Sequence, residues 1–156
     1  MKTLIIYASH YGATREIARR ISARIDGAVL HDLRQAAAPS IDGYDGVIIG
    51  SPLYAGTVKK EVKAFVARHA EGLRGKAVGL FLSGFEADNE FFYFERNFPK
   101  DMLAAAKATC FPGGVYDPAK AGLFHKIMLK VVGKKMPYTD TIDDAKIQRF
   151  AEAMRG

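Results

Sequence analysis

Short, continuous apolar runs recur along the chain, and most are followed by a stretch in which apolar side chains return every three or four positions. The first run, Leu4-Ile5-Ile6-Tyr7-Ala8, has no polar face, as expected of a parallel strand covered on both sides, and predicts a strand over about 3–8. Ile17, Ala18, Ile21 and Ile25 then repeat at helical spacing, with most of the arginines between them on the other face. They predict an amphipathic helix over 14–26 that Gly27 stops. The pattern continues with strands at 28–31, 46–50 and 77–82 and with a helix over 58–70. An aromatic-rich helix follows, capped by Asp88 and broken before a second piece that starts at Pro99 and runs through Met102 to Lys107. Residues 109–115 predict a fifth strand, at an edge because Pro112 cannot donate to a ladder. Helices over 123–132 and 142–154 close the chain, the last capped by Thr141 with Asp144 three positions on.

Strand and helix alternate five times, which predicts an α/β fold: a doubly wound, five-stranded parallel sheet of order 2-1-3-4-5 in a three-layer α/β/α arrangement. Ligands of such sheets bind beyond the carboxyl ends of the strands, where the winding reverses. The reversal lies between the first and third strands. It sets Ser9-His10-Tyr11-Gly12-Ala13-Thr14 beside the stretch from Ser51 to Thr57, with Ser83, Gly84 and Phe85 next along. The first of these loops has two readings. It is a capped strand-to-helix turn, or a phosphate site in which Ser9, Tyr11 and Thr14 supply hydroxyls, Gly12 lets the backbone approach and the helix start presents unpaired N–H groups.

Length and composition fit one domain, residues 1–156: the hydrophobic fraction is 49% and the charged fraction 26%. No apolar stretch is long enough to span a bilayer and none follows Met1-Lys2 as a signal segment would, so the expected location is the cytoplasm. A single cysteine, Cys110, excludes an internal disulfide and a zinc site built from cysteine pairs. His31, His69 and His125 have no partners at metal-ligand spacing, and no metal is expected. The net charge of +6 suits an anionic cofactor, an anionic membrane surface, an acidic protein or merely a solvated surface. No nucleic-acid partner is expected.

The three converging loops are rich in hydroxyls, glycines and aromatics and hold no acidic triplet. This excludes a phosphoacceptor domain that needs carboxylates after the first strand, since Ser9-His10 and Gly50-Ser51 occupy the relevant places. No G-x-x-x-x-G-K-[ST] stretch supports nucleotide hydrolysis, and Tyr116 stands where a cysteine-led anion loop starting at Cys110 would need arginine. A planar, phosphorylated ligand remains, with its phosphate on the first loop and its ring between the other two. Pro52-Leu53-Tyr54-Ala55-Gly56 supplies an apolar wall, an aromatic and a peptide able to turn over, which are features a flavin site uses. Tyr54 and Gly56 also suit an ordinary loop aromatic and a helix-preceding turn.

The sequence resembles the flavodoxin family over essentially its whole length. Ser9-His10-Tyr11-Gly12-Ala13-Thr14 is similar to the phosphate motif [ST]-x-T-G-x-T, with Tyr11 in place of the middle threonine, and Tyr44 to Pro52 is similar to the strand that leads to the flavin-ring loop. The resemblance implies a noncovalently bound FMN held by Ser9, His10, Tyr11, Gly12, Ala13, Thr14, Pro52, Leu53, Tyr54, Ala55, Gly56, Ser83, Gly84 and Phe85, and electron transfer to a redox partner protein or a small-molecule or quinone acceptor. Gly113 to Tyr116, Phe124 to Lys130 and Tyr138-Thr139-Asp140 resemble the flavodoxin-like, menaquinone-dependent protoporphyrinogen oxidases, which implies a quinone-linked oxidase of heme biosynthesis as the alternative. The loop after the fourth strand is shorter than in those oxidases, and the chain is basic where electron-shuttling flavodoxins are usually acidic. A basic binding module that has lost the cofactor is the third reading. The stretch 122–135 alternates apolar positions with Lys126, Lys130 and Lys134, a pattern that fits a core-facing helix or peripheral contact with an anionic membrane.

Overall fold

The computed structural model describes residues 1–120 and 137–156. The helix expected over 123–132 and the basic stretch 122–135 lie outside the described residues. In chain order the elements are β1 (Thr3–Tyr7), α1 (Ala13–Ser22), β2 (Val29–Asp32), β3 (Gly46–Tyr54), β4 (Thr57–Val58), α2 (Lys60–Arg68), α3 (Ala70–Leu73), β5 (Ala77–Ser83), α4 (Glu90–Asn97), α5 (Lys100–Ala105), β6 (Ala108–Cys110), β7 (Val115–Tyr116), β8 (Thr139–Asp140) and α6 (Asp144–Arg155). A single 3-10 turn, Ala87–Asn89, leads into α4.

The parallel sheet runs β2-β1-β3-β5-β6, which is the expected 2-1-3-4-5 order once the short antiparallel β4 is set aside. In β1, Leu4 and Ile6 point to one face and Ile5 and Tyr7 to the other, so an unbroken apolar run fills two cores at once. One core packs β1, β3 and β5 against Val62, Phe65 and Val66 of α2 and Phe94 of α4. The other packs the opposite face against Ile17, Ala18 and Ile21 of α1 and Ile147, Phe150, Ala151 and Met154 of α6. The result is the three-layer α/β/α arrangement that the alternation predicts, with α1 and α6 on one side and α2 to α5 on the other.

Several boundaries differ from the sequence pattern, each for a physical reason. Strand β3 does not stop at Gly50: it runs through Ser51, Pro52 and Leu53 to Tyr54 and folds back on β4 in a hairpin. Val58 therefore belongs to a strand, and α2 begins two residues later. The fifth strand of the sheet ends at Cys110 rather than Val115. Past Cys110 the carbonyl of Gly113 accepts the Gly84 N–H at 3.0 Å, and Val115–Tyr116 leaves the sheet to pair antiparallel with Thr139–Asp140. The cap of the last helix is Asp143, whose side chain accepts from the N–H groups of Ala145 and Lys146, not Thr141. Thr141 is already engaged, because its hydroxyl oxygen accepts the Gly114 N–H at 3.1 Å. Asp88 makes no cap either; α4 is entered through the 3-10 turn, closed by the Asn89 N–H on the Glu86 carbonyl. The break expected in this region is present between Asn97 and Lys100.

Candidate functional site

The first loop joins β1 to α1 at the end of the sheet where the winding reverses. Gly12 occupies the N-cap of α1 with φ 97°, a left-handed conformation, and no side chain caps the helix. A Cβ built at Gly12 meets nothing within 4 Å, so the backbone angle and not crowding demands glycine there. The N–H groups of the first turn have no intrahelical acceptors, and one of them, Arg15, reaches the Ser9 hydroxyl at 3.4 Å. That contact uses an acceptor lone pair of Ser9 and leaves its O–H to donate. Thr14 is committed elsewhere: its hydroxyl lies 2.8 Å from that of Ser83, both buried, and this bond ties the first loop to the end of β5.

The second wall is the β3–β4 hairpin. Leu53 faces Val58 and Tyr54 faces Thr57 across the ladder, leaving Ala55-Gly56 as a two-residue turn with φ 48° and 74°. Two positive values in succession mark a type I′ turn, whose twist matches the strands. Asn97 of α4 fastens this hairpin from outside. Its amide donates to the Gly56 carbonyl at 3.0 Å and to the Tyr93 carbonyl at 2.8 Å, while its oxygen accepts the Val58 N–H at 3.0 Å. Turning over the Ala55-Gly56 peptide converts the turn to one that favours glycine at its first central place, which Ala55 does not offer. Ser51, buried at the base, accepts the Lys59 N–H at 2.9 Å.

The two walls meet through aromatics. The Tyr11 and Tyr54 rings stand 6.2 Å apart, and burial, then the neighbouring Tyr11 phenol, raise the Tyr54 pKa above its ordinary value. His10 packs edge-on against Tyr11 at 4.3 Å and Tyr54 at 6.1 Å, and the Lys59 ammonium sits 4.1 Å from the centre of the Tyr54 ring. On the third side Ser83 ends β5, Gly84 backs against Gly114, and Phe85 is exposed. Ser9, His10, Tyr11, Gly12, Ala13, Thr14, Tyr54 and Ser83 are thus linked in a chain of contacts through the first loop and its two neighbours. Pro52 and Leu53 stand in the strand behind Tyr54, Ala55 is exposed at the turn, and Phe85 is exposed past the end of β5.

The electrostatics of the loop are positive. Arg34, two positions past β2, donates to the Ser9 carbonyl at 3.3 Å and contacts Nδ1 of His10. Burial, then Arg34, then Lys59 hold the His10 pKa below its ordinary value, with Glu61 opposing. Burial and then Arg34 lower that of Lys59. The Glu61 Oε2 atom is buried and has no hydrogen-bond partner. Arg15, at the start of α1, is held instead by Asp32 at 3.0 Å. Open N–H groups, a free hydroxyl hydrogen and uncompensated positive charge form a donor set that suits a phosphate group.

Sequence reasoning missed Arg34, Lys59 and Asn97. The first was discoverable: in a 2-1-3 sheet the carboxyl end of β2 must flank the first loop, so a basic residue just past it faces that loop. Asn97 gave no local signal, because the two partners that matter to the hairpin, Gly56 and Val58, lie about 40 residues away on another element. Burial pushes the Cys110 thiol up to about 12, which disfavours the nucleophilic thiolate. Among the described residues no group of three or more His, Cys, Asp and Glu is placed to hold a metal, and no helix is long and apolar enough to cross a membrane.

A family model described as "Flavodoxin domain" matches residues 4–143. No curated protein matches the sequence. Among solved structures, a flavodoxin of Streptococcus pneumonia TIGR4 is 19% identical with a TM-score of 0.64, the alignment covering 99% of this chain and 98% of that one. Oxidised flavodoxin 2 of Bacillus cereus is 23% identical with a TM-score of 0.63 over 99% of this chain and 98% of that one. The rubredoxin oxygen:oxidoreductase of Desulfovibrio gigas is 17% identical with a TM-score of 0.53, and this chain covers only 37% of it. At these identities the likeness establishes the fold.

Proposed function

Because the chain belongs to the flavodoxin domain family, we propose that it is an FMN-binding redox protein that transfers electrons through a noncovalently held flavin. The observation that carries this reading is the junction of the Ser9–Thr14 loop with both neighbouring walls, to Ser83 through Thr14 and to Tyr54 through Tyr11. It gathers a phosphate-type donor set and an aromatic wall at the winding reversal, where doubly wound sheets bind ligands. In this reading the Ser9 hydroxyl and the backbone N–H groups of Gly12, Ala13 and Thr14 form the phosphate end, and Pro52 to Gly56 with Ser83 to Phe85 border the ring. Bound FMN supplies the redox chemistry; the protein supplies position, exclusion of water and electrostatics. Tyr54 gives the ring a rigid apolar face, and Asn97 keeps the hairpin that carries it in place.

The test is a visible spectrum of the purified protein, with extraction and identification of the bound flavin, then titration of flavin-free protein with FMN. Flavin absorbance and a rise in melting temperature with added FMN are expected, since a ligand of the native state must stabilise it. A colourless protein whose melting temperature ignores excess FMN would favour a binding module without the cofactor. A second reading, a quinone-linked oxidase of protoporphyrinogen, rests on the sequence motifs alone, two of whose segments, Val115–Tyr116 and Thr139–Asp140, pair as short strands. Turnover of that substrate with a quinone acceptor, against simple reduction by a flavodoxin reductase, separates it from the carrier. In either case the partner is a redox protein or a small acceptor.

A further inference from the structure

Three basic side chains reach one side of the first loop from three different parts of the fold. His10 belongs to the loop itself, Arg34 follows β2, and Lys59 stands between β4 and α2. Among the described residues none of the three makes an ion pair. The carboxylate that acts on His10 and Lys59, Glu61, does so from beyond ion-pair distance. Arg34 instead spends a guanidinium hydrogen on His10 Nδ1, an acceptor only while the imidazole is neutral. Like charges gathered without a counter-ion are unfavourable, and an arriving anion relieves them.

We propose that His10, Arg34 and Lys59 form a clamp for the doubly charged phosphate of the flavin nucleotide, in which Arg34 leaves His10 Nδ1 for a phosphate oxygen and the freed nitrogen takes up one proton from solvent. This rests on the FMN reading and adds to it a charge-selective contact and a proton. The loop's backbone N–H groups and the Ser9 hydroxyl are neutral donors, whereas the clamp responds to the charge of the phosphate. Among the described residues, the groups that face His10 are the Tyr11 and Tyr54 rings, Arg34, Lys59 and, farther off, Glu61. In the free protein burial, Arg34 and Lys59 all keep the imidazole neutral. A bound dianion engages both cations and brings two negative charges beside the ring, so the positive field that disfavours the imidazolium is cancelled and protonation becomes more favourable.

The test is calorimetric titration of flavin-free protein with FMN and with riboflavin, at about pH 7.5, in two buffers of different ionisation enthalpy. A phosphate monoester is already dianionic there, since its second pKa is about 6, so it takes up no proton of its own. The expected result is net proton uptake with FMN, none with riboflavin, and loss of the uptake in His10→Gln. In Arg34→Ala the preference for FMN over riboflavin falls by roughly 10- to 100-fold, the range of one charge-assisted hydrogen bond, and Arg34→Lys restores part of it. FMN binding with no proton uptake and an unchanged preference in Arg34→Ala overturns the clamp and leaves the cofactor reading standing. No binding of either flavin overturns both.

Discussion

The hydroxyls of Thr14 and Ser83 lie 2.8 Å apart, both buried, although 69 positions separate them in the chain. One residue is in the first turn of α1 and the other ends β5, so this bond joins the loop after the first strand to the loop after the fourth parallel one. Removing either hydroxyl leaves the other buried without its partner, at a cost of about 1–3 kcal/mol. Thr14→Val and Ser83→Ala are each expected to lower the unfolding free energy by that order. The double variant is expected to lose less than the sum, because the second change removes the orphan that the first creates. Urea denaturation of the four proteins measures the coupling, and simple additivity would show that the two hydroxyls do not interact.

Tyr11 replaces the threonine that the phosphate motif leads one to expect, and its ring is turned to Tyr54 rather than only to the loop. Tyr11→Phe keeps the edge contact with His10 and removes the hydroxyl. Its expected effect on FMN is a modest weakening, roughly 2- to 10-fold in Kd, as for one neutral hydrogen bond. The Tyr54 phenol should also ionise at lower pH in this variant, because the Tyr11 hydroxyl, after burial, helps to hold it protonated. Spectrophotometric titration of tyrosinate reads that shift.

The strands that carry the site were legible because β1, β3 and β5 are buried on both faces and so read as unbroken apolar runs. The helices on either side were legible from their stripes: Ile17, Ala18 and Ile21 are all fully buried on α1. What misled was Phe111, fully buried yet outside any strand, whose apolar neighbours made 109–115 look like one element. The chain departs there because Gly84 N–H takes the Gly113 carbonyl, a long-range choice that no local pattern encodes. The glycine loop and its neighbours were found from the sequence because topology alone brings strand ends together. The same topology sets Arg34, just past β2, beside the first loop; Lys59 and Asn97 were not legible, since their roles depend on where a side chain points after the sheet has formed.

Glu16 sits one turn into α1 between Arg19 and Arg20, with Arg19 Nη2 at 2.8 Å and Arg20 Nε at 2.8 Å. Hydrogen bonding to Arg19 is the largest cause that lowers its pKa from 4.5 to about 2, with Arg20 adding to it and burial opposing. A depressed carboxylate pKa stabilises the fold above the unfolded-state value, and that contribution is lost as pH falls from about 4.5 to about 2. With solvent screening the contribution is on the order of 1 kcal/mol. Glu16→Gln is expected to be less stable at neutral pH by that amount and to match the parent only below the folded-state pKa of about 2. A constant difference across the acid range, measured by denaturation, would remove the linkage.

Asn97 makes three bonds with one side chain: the Gly56 and Tyr93 carbonyls accept from its amide, and its oxygen accepts from Val58. Asn97→Ala removes all three at once and frees the two-residue turn that positions Tyr54. Global stability should fall by about 1–3 kcal/mol, and amide exchange at Val58 should accelerate more than at Leu80 in the middle of β5. Asn97→Asp separates the donors from the acceptor, because a carboxylate still accepts from Val58 N–H but cannot donate to either carbonyl. It also sets a negative charge against the Gly56 carbonyl oxygen. Its hairpin should therefore be at least as mobile as that of Asn97→Ala, and FMN affinity should fall in both. Exchange rates and affinity that stay at parental values in Asn97→Asp would mean that the Val58 bond alone holds the hairpin.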